Sequence, residues 1–465
     1  MNTANLQFLS VLQIQDDTGQ TTAAGREYQQ VLDSVRSSIA SDHADELAAA
    51  LDSAEAMQTL KSLIYKYAAE QLAGTNADLD ELTERIYQDM AGLGILTKHL
   101  LDPEVEEINV NGYDMVEIIR PDGTVFLEGR DAFPSQEAAL AVVKRMLRMG
   151  GGGLLDAQTP HVDSEMESGT RISASIPPLI PAQAGVYASI RKQRAESAGV
   201  EDLITSGAAT RDMMDFLSLC LCNGVSVGIA GSTGAGKTTL ETSLINEYLV
   251  RNEDYNNRTF LIEDSREIVL KGYDEEHGRP ARVLYYRTNE KETMQSLLTA
   301  SLRMDPNLII PAEVRDGAAY VAAEAGRTGH TILTSFHADG ARNGYLRLVE
   351  LCRMAGTNQS DEVLLAMCIS AWPVMVYQRQ LKDRSRRMME IFEASGLKDG
   401  HVEGNLLFRY VIEATERDGF GRITRVRGHH ERCGCISPAL FQRLTDNGAP
   451  ESVLRRIFPE AEADG

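Results

Sequence analysis

The chain has 465 residues, 43% hydrophobic and 25% charged, a globular composition with length for about three domains, which excludes both a single small module and a disordered chain. Its 46 Lys and Arg stand against 68 Asp and Glu, and the net charge of −22 argues against a protein whose main work is coating nucleic acid. Six cysteines in a chain of this length make no disulfide framework and point to a reducing compartment.

In chain order, the opening segment MNTANLQFLSVLQIQDDTGQ lacks a basic region followed by an apolar core, so no signal peptide is expected. Residues 1–98 carry apolar residues at helical spacing, as in LAAALDSAEAMQTLKSLIYKYAAEQL, and read as a helical extension with an acidic, solvated face. In residues 99–198 the texture changes to short alternating or β-branched runs (EEINVNG, MVEIIRPDGTVFLEG) with Asn-Gly and Pro-Asp-Gly turns. One helical stretch (SQEAALAVVKRMLRMG) joins them, so this part is expected to be an α+β domain. Residues 199–390 alternate apolar strands with helical segments, the pattern of βαβ units around a mostly parallel sheet. Residues 391–465 read as a further α/β extension with a basic tract, RITRVRGHHERCGC, and a helical tail. The longest apolar run, Ala366 to Tyr377, falls short of the roughly 20 residues a spanning helix needs, so any membrane association is expected to be peripheral.

The segment Gly231, Ser232, Thr233, Gly234, Ala235, Gly236, Lys237, Thr238 fits G-x-x-x-x-G-K-[ST] in full. A strand-like run (VSVGIA) precedes it, and a helical one follows, beginning with Thr239. Glycines there let successive backbone N–H groups curl around phosphates, and the helix N-terminus adds its partial positive charge. Lys237 is expected to reach the β/γ-phosphates and the Thr238 hydroxyl to ligate Mg²⁺. Three more apolar runs end in polar residues: TFLIED at Glu263 and Asp264, NLIIPAE at Glu313, and TILTSF just before His337. Ligands of an open parallel sheet sit at the carboxyl ends of its strands, so these residues are aimed at one rim with Lys237. Glu313 is expected to activate water, Glu263 to support the Mg²⁺ shell and His337 to sense the γ-phosphate. His330, at the other end of the His337 strand, is held more loosely. Arg171, Arg191 and Arg315 are candidates for stabilising charge on a transferring phosphoryl group, with a surface ion pair as the alternative for each.

The order of these motifs resembles the secretion-superfamily traffic ATPases of type II secretion, type IV pilus and type IV secretion machines, over roughly Leu101 to Glu393. The matching segments are GSTGAGKTT, IEDSREIVL, RMDPNLIIPAEVRD and GRTGHTILTSFHADG. Within that family the chain looks most like the CpaF-type ATPases of tight-adherence (Tad/Flp) pilus systems, through DPEVEEINVNG, QTPHVDSEMESGTRISASIPP and SIRK. The resemblance implies an N-terminal domain packed over a RecA-like ATPase domain, ATP and Mg²⁺ as cofactors, and a homo-hexameric ring. Such a ring is expected to work on inner-membrane platform proteins of a pilus or secretion machine from the cytoplasmic face, and the acidic balance adds the expectation of no direct nucleic-acid contact. Carried over, Lys237 and Thr238 hold phosphate and Mg²⁺, Glu263 and Glu313 are the catalytic acids, His330 and His337 form the histidine-box pair, and Arg171 and Arg191 contact nucleotide. The chain departs from the family at Asn307, Pro311 and Ala312, so the strand before Glu313 is expected to end early or bend. Cys433 and Cys435, with His429 and His430 nearby, lack zinc-site spacing and read as reduced thiols. Two other readings stay open: a conjugation-type secretion ATPase, and a nucleotide-gated scaffold with little turnover.

Overall fold

A computed structural model describes residues 31–461, apart from positions 33, 36, 40, 44–53, 73–77, 91–92, 121–122, 167–168, 193–198, 252–256, 271–272, 275–278, 281–282 and 290. The chain is α/β and divides into two compact units, 1–193 and 194–465. Of the helical extension expected over 1–98, the first thirty residues lie outside the described ones. Helices α1 (Ala54–Gln71) and α2 (Leu79–Met90) pack with Val31, Leu32, Val35 and Ile39 into a small apolar cluster of their own.

The rest of the first unit is an antiparallel six-stranded sheet. Its strands are β1 (Glu107–Val110), β2 (Met115–Arg120), β3 (Gly123–Glu128), β4 (His161–Glu165), β5 (Arg171–Ser175) and β6 (Tyr187–Arg191), in the spatial order β3-β2-β1-β6-β5-β4. Side chains alternate between faces along a strand, so Ile108, Val116, Ile118, Ile172 and Ile190 all enter one core. Helix α3 (Gln136–Met149) covers that face with Ala139, Val142, Val143, Met146 and Leu147. It starts where the Ser135 hydroxyl accepts from the Ala138 N–H at 3.2 Å, an N-cap.

The second unit is built on a nine-stranded sheet. Its strands are β7 (Val227–Gly231), β8 (Thr259–Glu263), β9 (Val283–Arg287), β10 (Leu308–Pro311), β11 (Thr331–Phe336), β12 (Val374–Gln380), β13 (Arg386–Lys398), β14 (His401–Arg417) and β15 (Ile423–Arg432). They lie in the order β9-β8-β10-β11-β7-β12-β13-β14-β15, parallel as far as β12 and antiparallel beyond it. Strands β7, β8, β10 and β11 are buried at every position because helices cover both faces, which is why they read as unbroken apolar runs. Leu261, Leu308, Ile310 and Leu333 face α4 (Arg211–Cys222) and α5 (Lys237–Arg251). Phe260, Ile262, Ile309 and Ile332 face the side that holds α6 (Met294–Ser301), α7 (Ala318–Arg327), α8 (Ala341–Arg353) and α9 (Asp361–Ala371).

The boundary expected between 390 and 391 falls inside β13, so the residues after it continue the same sheet and do not start a new layer. The tail helices α10 (Pro438–Asp446) and α11 (Glu451–Ile457) return to α4, where Phe458 meets Phe216 edge-on at 5.2 Å. Pro311 is the last residue of its strand, which ends early as expected, and the register against β11 shifts beyond it. Pairing with β11 runs Leu308↔Thr331 and Ile309↔Ile332, then resumes one residue out of step at Glu313↔Ser335. Proline has no N–H to give to the ladder, and hydroxyls of β11 donate to the carbonyls around the register shift, that of Ala312 accepting from the Ser335 N–H as well. Thr334 Oγ1 donates to the Pro311 carbonyl at 2.5 Å and Ser335 Oγ to that of Ala312 at 2.7 Å.

Candidate active site

The carboxyl ends of β7, β8, β10 and β11 meet around the loop from Gly231 to Thr238. Gly234 and Gly236 sit at φ +74° and +90°, where a side chain would be strained, and a Cβ on Gly231 would stand 2.5 Å from the Gln378 carbonyl oxygen on neighbouring β12. The loop ends as the first residue of α5, Lys237, which is buried. Its Nζ donates to the Gly231 and Ser232 carbonyls, both at 3.2 Å, and lies 3.4 Å from His337 Nδ1. Burial pulls the Lys237 ammonium below its usual range, against the opposing pull of Glu313, Glu241 and Glu267.

His337 bridges the rim. Its Nδ1 lies 3.2 Å from the Gly231 carbonyl oxygen, and its Nε2 lies 3.0 Å from Glu313 Oε1. The other Glu313 oxygen accepts from Arg315 Nη2 at 2.6 Å, and Arg315 also reaches Asp264 at 3.7 Å. The register shift beyond Pro311 thus precedes the carboxylate that meets His337. Glu263 is 3% exposed, and its Oε1 accepts the backbone N–H groups of Glu267 and Ile268 at 2.9 and 3.1 Å, folding the turn after β8. That turn brings Glu267 Oε2 to the Thr238 hydroxyl, which donates to it at 3.0 Å.

Lys237, Glu263, Asp264, Glu313 and His337 lie along one rim, the set of residues aimed there by the sequence, and Thr238 and Arg315 stand beside them. His330 does not. It lies before β11, roughly 20 Å of strand from His337, with Nδ1 3.3 Å from the Ala325 carbonyl oxygen. Arg171 and Arg191 belong to the first unit, where they are register partners on β5 and β6, flanked by Glu165 on β4 and Glu107 on β1.

Three rim residues escaped the sequence reading. Glu267 was inside a quoted motif without a role. Arg386, at the start of β13, donates through Nε to the Gly234 carbonyl at 3.0 Å from more than 150 positions away, and no local signal marks it. Glu241, one turn into α5 after Lys237, is wholly buried, and neither carboxyl oxygen has a hydrogen-bond partner among the described residues. Burial pushes that carboxyl well above the usual range, and the charges of Glu263, Glu313 and Glu267 add to the push. An acid inside TLETSLI, among residues that face the core, was the available signal.

Thr238, Glu263, Glu267 and Glu313 offer oxygen donors around the loop, as a hard cation prefers. Among the described residues no group of three or more His, Cys, Asp or Glu is placed to hold a metal ion. Mg²⁺ fits such a rim, because it takes one or two protein ligands and completes its shell with substrate phosphate and water. Among the described residues no helix is long and apolar enough to cross a membrane.

A family model described as type II/IV secretion system protein matches residues 92–392. The conjugal transfer protein TrbB of Rhizobium radiobacter is 26% identical over 297 residues, which span 62% of this chain and 86% of that protein. The protein VirB11 of Rhizobium radiobacter is 25% identical over 349 residues, 66% of this chain and 94% of its own. Among solved structures, the Legionella pneumophila ATPase DotB is similar at 18% identity and a TM-score of 0.47, covering 63% of this chain and 78% of that one.

Proposed function

The chain belongs to the type II/IV secretion system protein family, and we propose that it is an ATP-hydrolysing ring motor that powers pilus assembly or protein secretion at the cytoplasmic face of an inner membrane. The observation that carries this reading is the convergence of Lys237, His337 and Glu313 over a full phosphate loop. The loop's N–H groups and the start of α5 bind the β- and γ-phosphates, and Lys237 leaves the Gly231 and Ser232 carbonyls to meet them. Glu313 orients the attacking water and takes its proton, held in place by Arg315 and His337. His337 touches the loop, the lysine and the base, so it registers whether a γ-phosphate is present. Thr238 would hold Mg²⁺, with Glu263 and Glu313 supporting its shell. The ion, when bound, neutralises charge building between the β- and γ-phosphates.

Arg171 and Arg191 supply further positive charge to the nucleotide, and the working form is a homo-hexamer acting on inner-membrane platform proteins. The segments DPEVEEINVNG and SIRK support a tight-adherence pilus system as the setting. The 26% identity to a conjugal transfer protein favours a second reading, a conjugation-type secretion motor. Glu313→Gln tests the shared chemistry. Binding of labelled ATP should stay within about twofold of wild type while hydrolysis falls by about 10²–10⁴-fold. Hydrolysis equal to wild type removes Glu313 from the reaction, and tight binding with no turnover in either protein favours the scaffold reading.

A further inference from the structure

Glu241 has no structural reason to be an acid. It sits on the buried side of α5 with Leu240, Leu244 and Ile245, wholly out of solvent, and nothing described donates a hydrogen bond to either oxygen. A leucine would serve the packing better, because a buried carboxyl without partners gives up its hydrogen bonds to water for nothing. Its position supplies another purpose. Three residues beyond Thr238 and four beyond Lys237, it shares their side of the helix. The charged groups that act on it are Glu263 from the end of β8, Glu267 from the turn that reaches Thr238, Glu313 from beyond β10, and Lys237.

We propose that Glu241 is a positioning residue of the divalent-cation site, its carboxyl accepting a hydrogen bond from a water of the cation's hydration shell. The inference rests on reading the rim as a Mg²⁺-nucleotide site. The described side chains include no set that could cage the ion directly, so its waters must find acceptors around the site. Acceptors behind the waters and ligands of a metal are worth about 10–100-fold in metal affinity. The unpartnered, buried Glu241 carboxyl is such an acceptor, and it is built into the helix that carries the phosphate-binding lysine.

The test uses the full chain and a fluorescent ADP analogue, titrated first in excess EDTA and then with increasing Mg²⁺. In EDTA, Glu241→Leu should bind the analogue within about twofold of wild type. Its Mg²⁺ half-saturation should rise about tenfold or more, while its melting temperature in EDTA stays level or rises because an unpaired carboxyl has gone. Glu241→Gln keeps a carbonyl acceptor in nearly the same volume and should shift the Mg²⁺ dependence less than leucine does; it also serves should the leucine variant fail to fold. An unchanged Mg²⁺ half-saturation in Glu241→Leu overturns the proposal, and so does an equal loss of affinity with and without Mg²⁺. Failure of wild type to bind the analogue at all overturns the nucleotide reading beneath it, a result distinct from either of these.

Discussion

The strand end at Pro311 makes Thr334 a sharper probe of the site than its place inside a strand suggests. Thr334 is fully buried, and its hydroxyl donates to the Pro311 carbonyl at 2.5 Å, where the strand ends. Thr334→Val keeps the β-branched shape, so packing and strand preference change little. What is lost is one donor, leaving a buried carbonyl oxygen short of its partner at a cost of about 1–3 kcal/mol. For a unit of this size that corresponds to a melting shift of about 2–10 °C. Trp372 is the only tryptophan and is fully buried in the second unit, so its fluorescence follows that unit alone. Glu313 is paired with His337 two residues past Pro311, so the variant should lose hydrolysis by a larger factor than it loses nucleotide binding. A Trp372 melting curve that superimposes on wild type would show that the hydroxyl does not support the end of that strand.

The other predictions concern the loop and a buried imidazole. Gly231→Ala should lower the melting temperature and weaken nucleotide binding together, because the new Cβ stands 2.5 Å from a backbone oxygen on β12 that cannot swing away; full-strength binding to an analogue would contradict this. Arg386→Ala removes the hydrogen bond to the Gly234 carbonyl and should weaken nucleotide binding by about fivefold, on the order of one hydrogen bond, with equal Kd values in a direct titration as the opposing result. His430 packs on Tyr410, places Nε2 3.0 Å from the Met388 carbonyl oxygen, and is pushed down to about 4, chiefly by burial. The folded chain keeps this ring neutral while the unfolded chain protonates it below about 6.5. Its contribution to stability is therefore complete above that value and is lost as pH falls toward 4. His430→Gln should flatten the fall in Trp372 melting temperature across that window, and parallel curves for the two proteins would refute the assignment.

Much of the rim could be read from the sequence because each functional residue follows an apolar run, and a parallel sheet gathers the ends of such runs at one edge. Lys237, Glu263, Glu313 and His337 were legible for that reason. Arg386 was not, since only the pairing of β12 with both β7 and β13 folds it onto Gly234. The boundary at 390 failed for a related reason. Strands β13 to β15 are long, carry polar residues and are antiparallel, so their texture differs from the buried parallel strands, although they extend the same sheet. Pro311 signalled that its strand would end early or bend, and the strand does end there; the one-residue register shift beyond it depends on the neighbouring strand and carries no local signal. Glu263 was read as a metal-shell acid. Its Oε1 folds the turn that carries Glu267 to Thr238, a use that depends on backbone N–H groups no side-chain motif reports.

The central claim is that this rim hydrolyses ATP and does so within a ring. The most direct test is the ATPase rate per protomer as a function of protein concentration, with solution mass recorded alongside, for wild type and Lys237→Ala. The account predicts a wild-type rate that climbs as a particle of about six protomers forms and a Lys237→Ala protein without turnover at any concentration. A rate per protomer that is independent of assembly, or one that survives loss of the Lys237 ammonium, would contradict it.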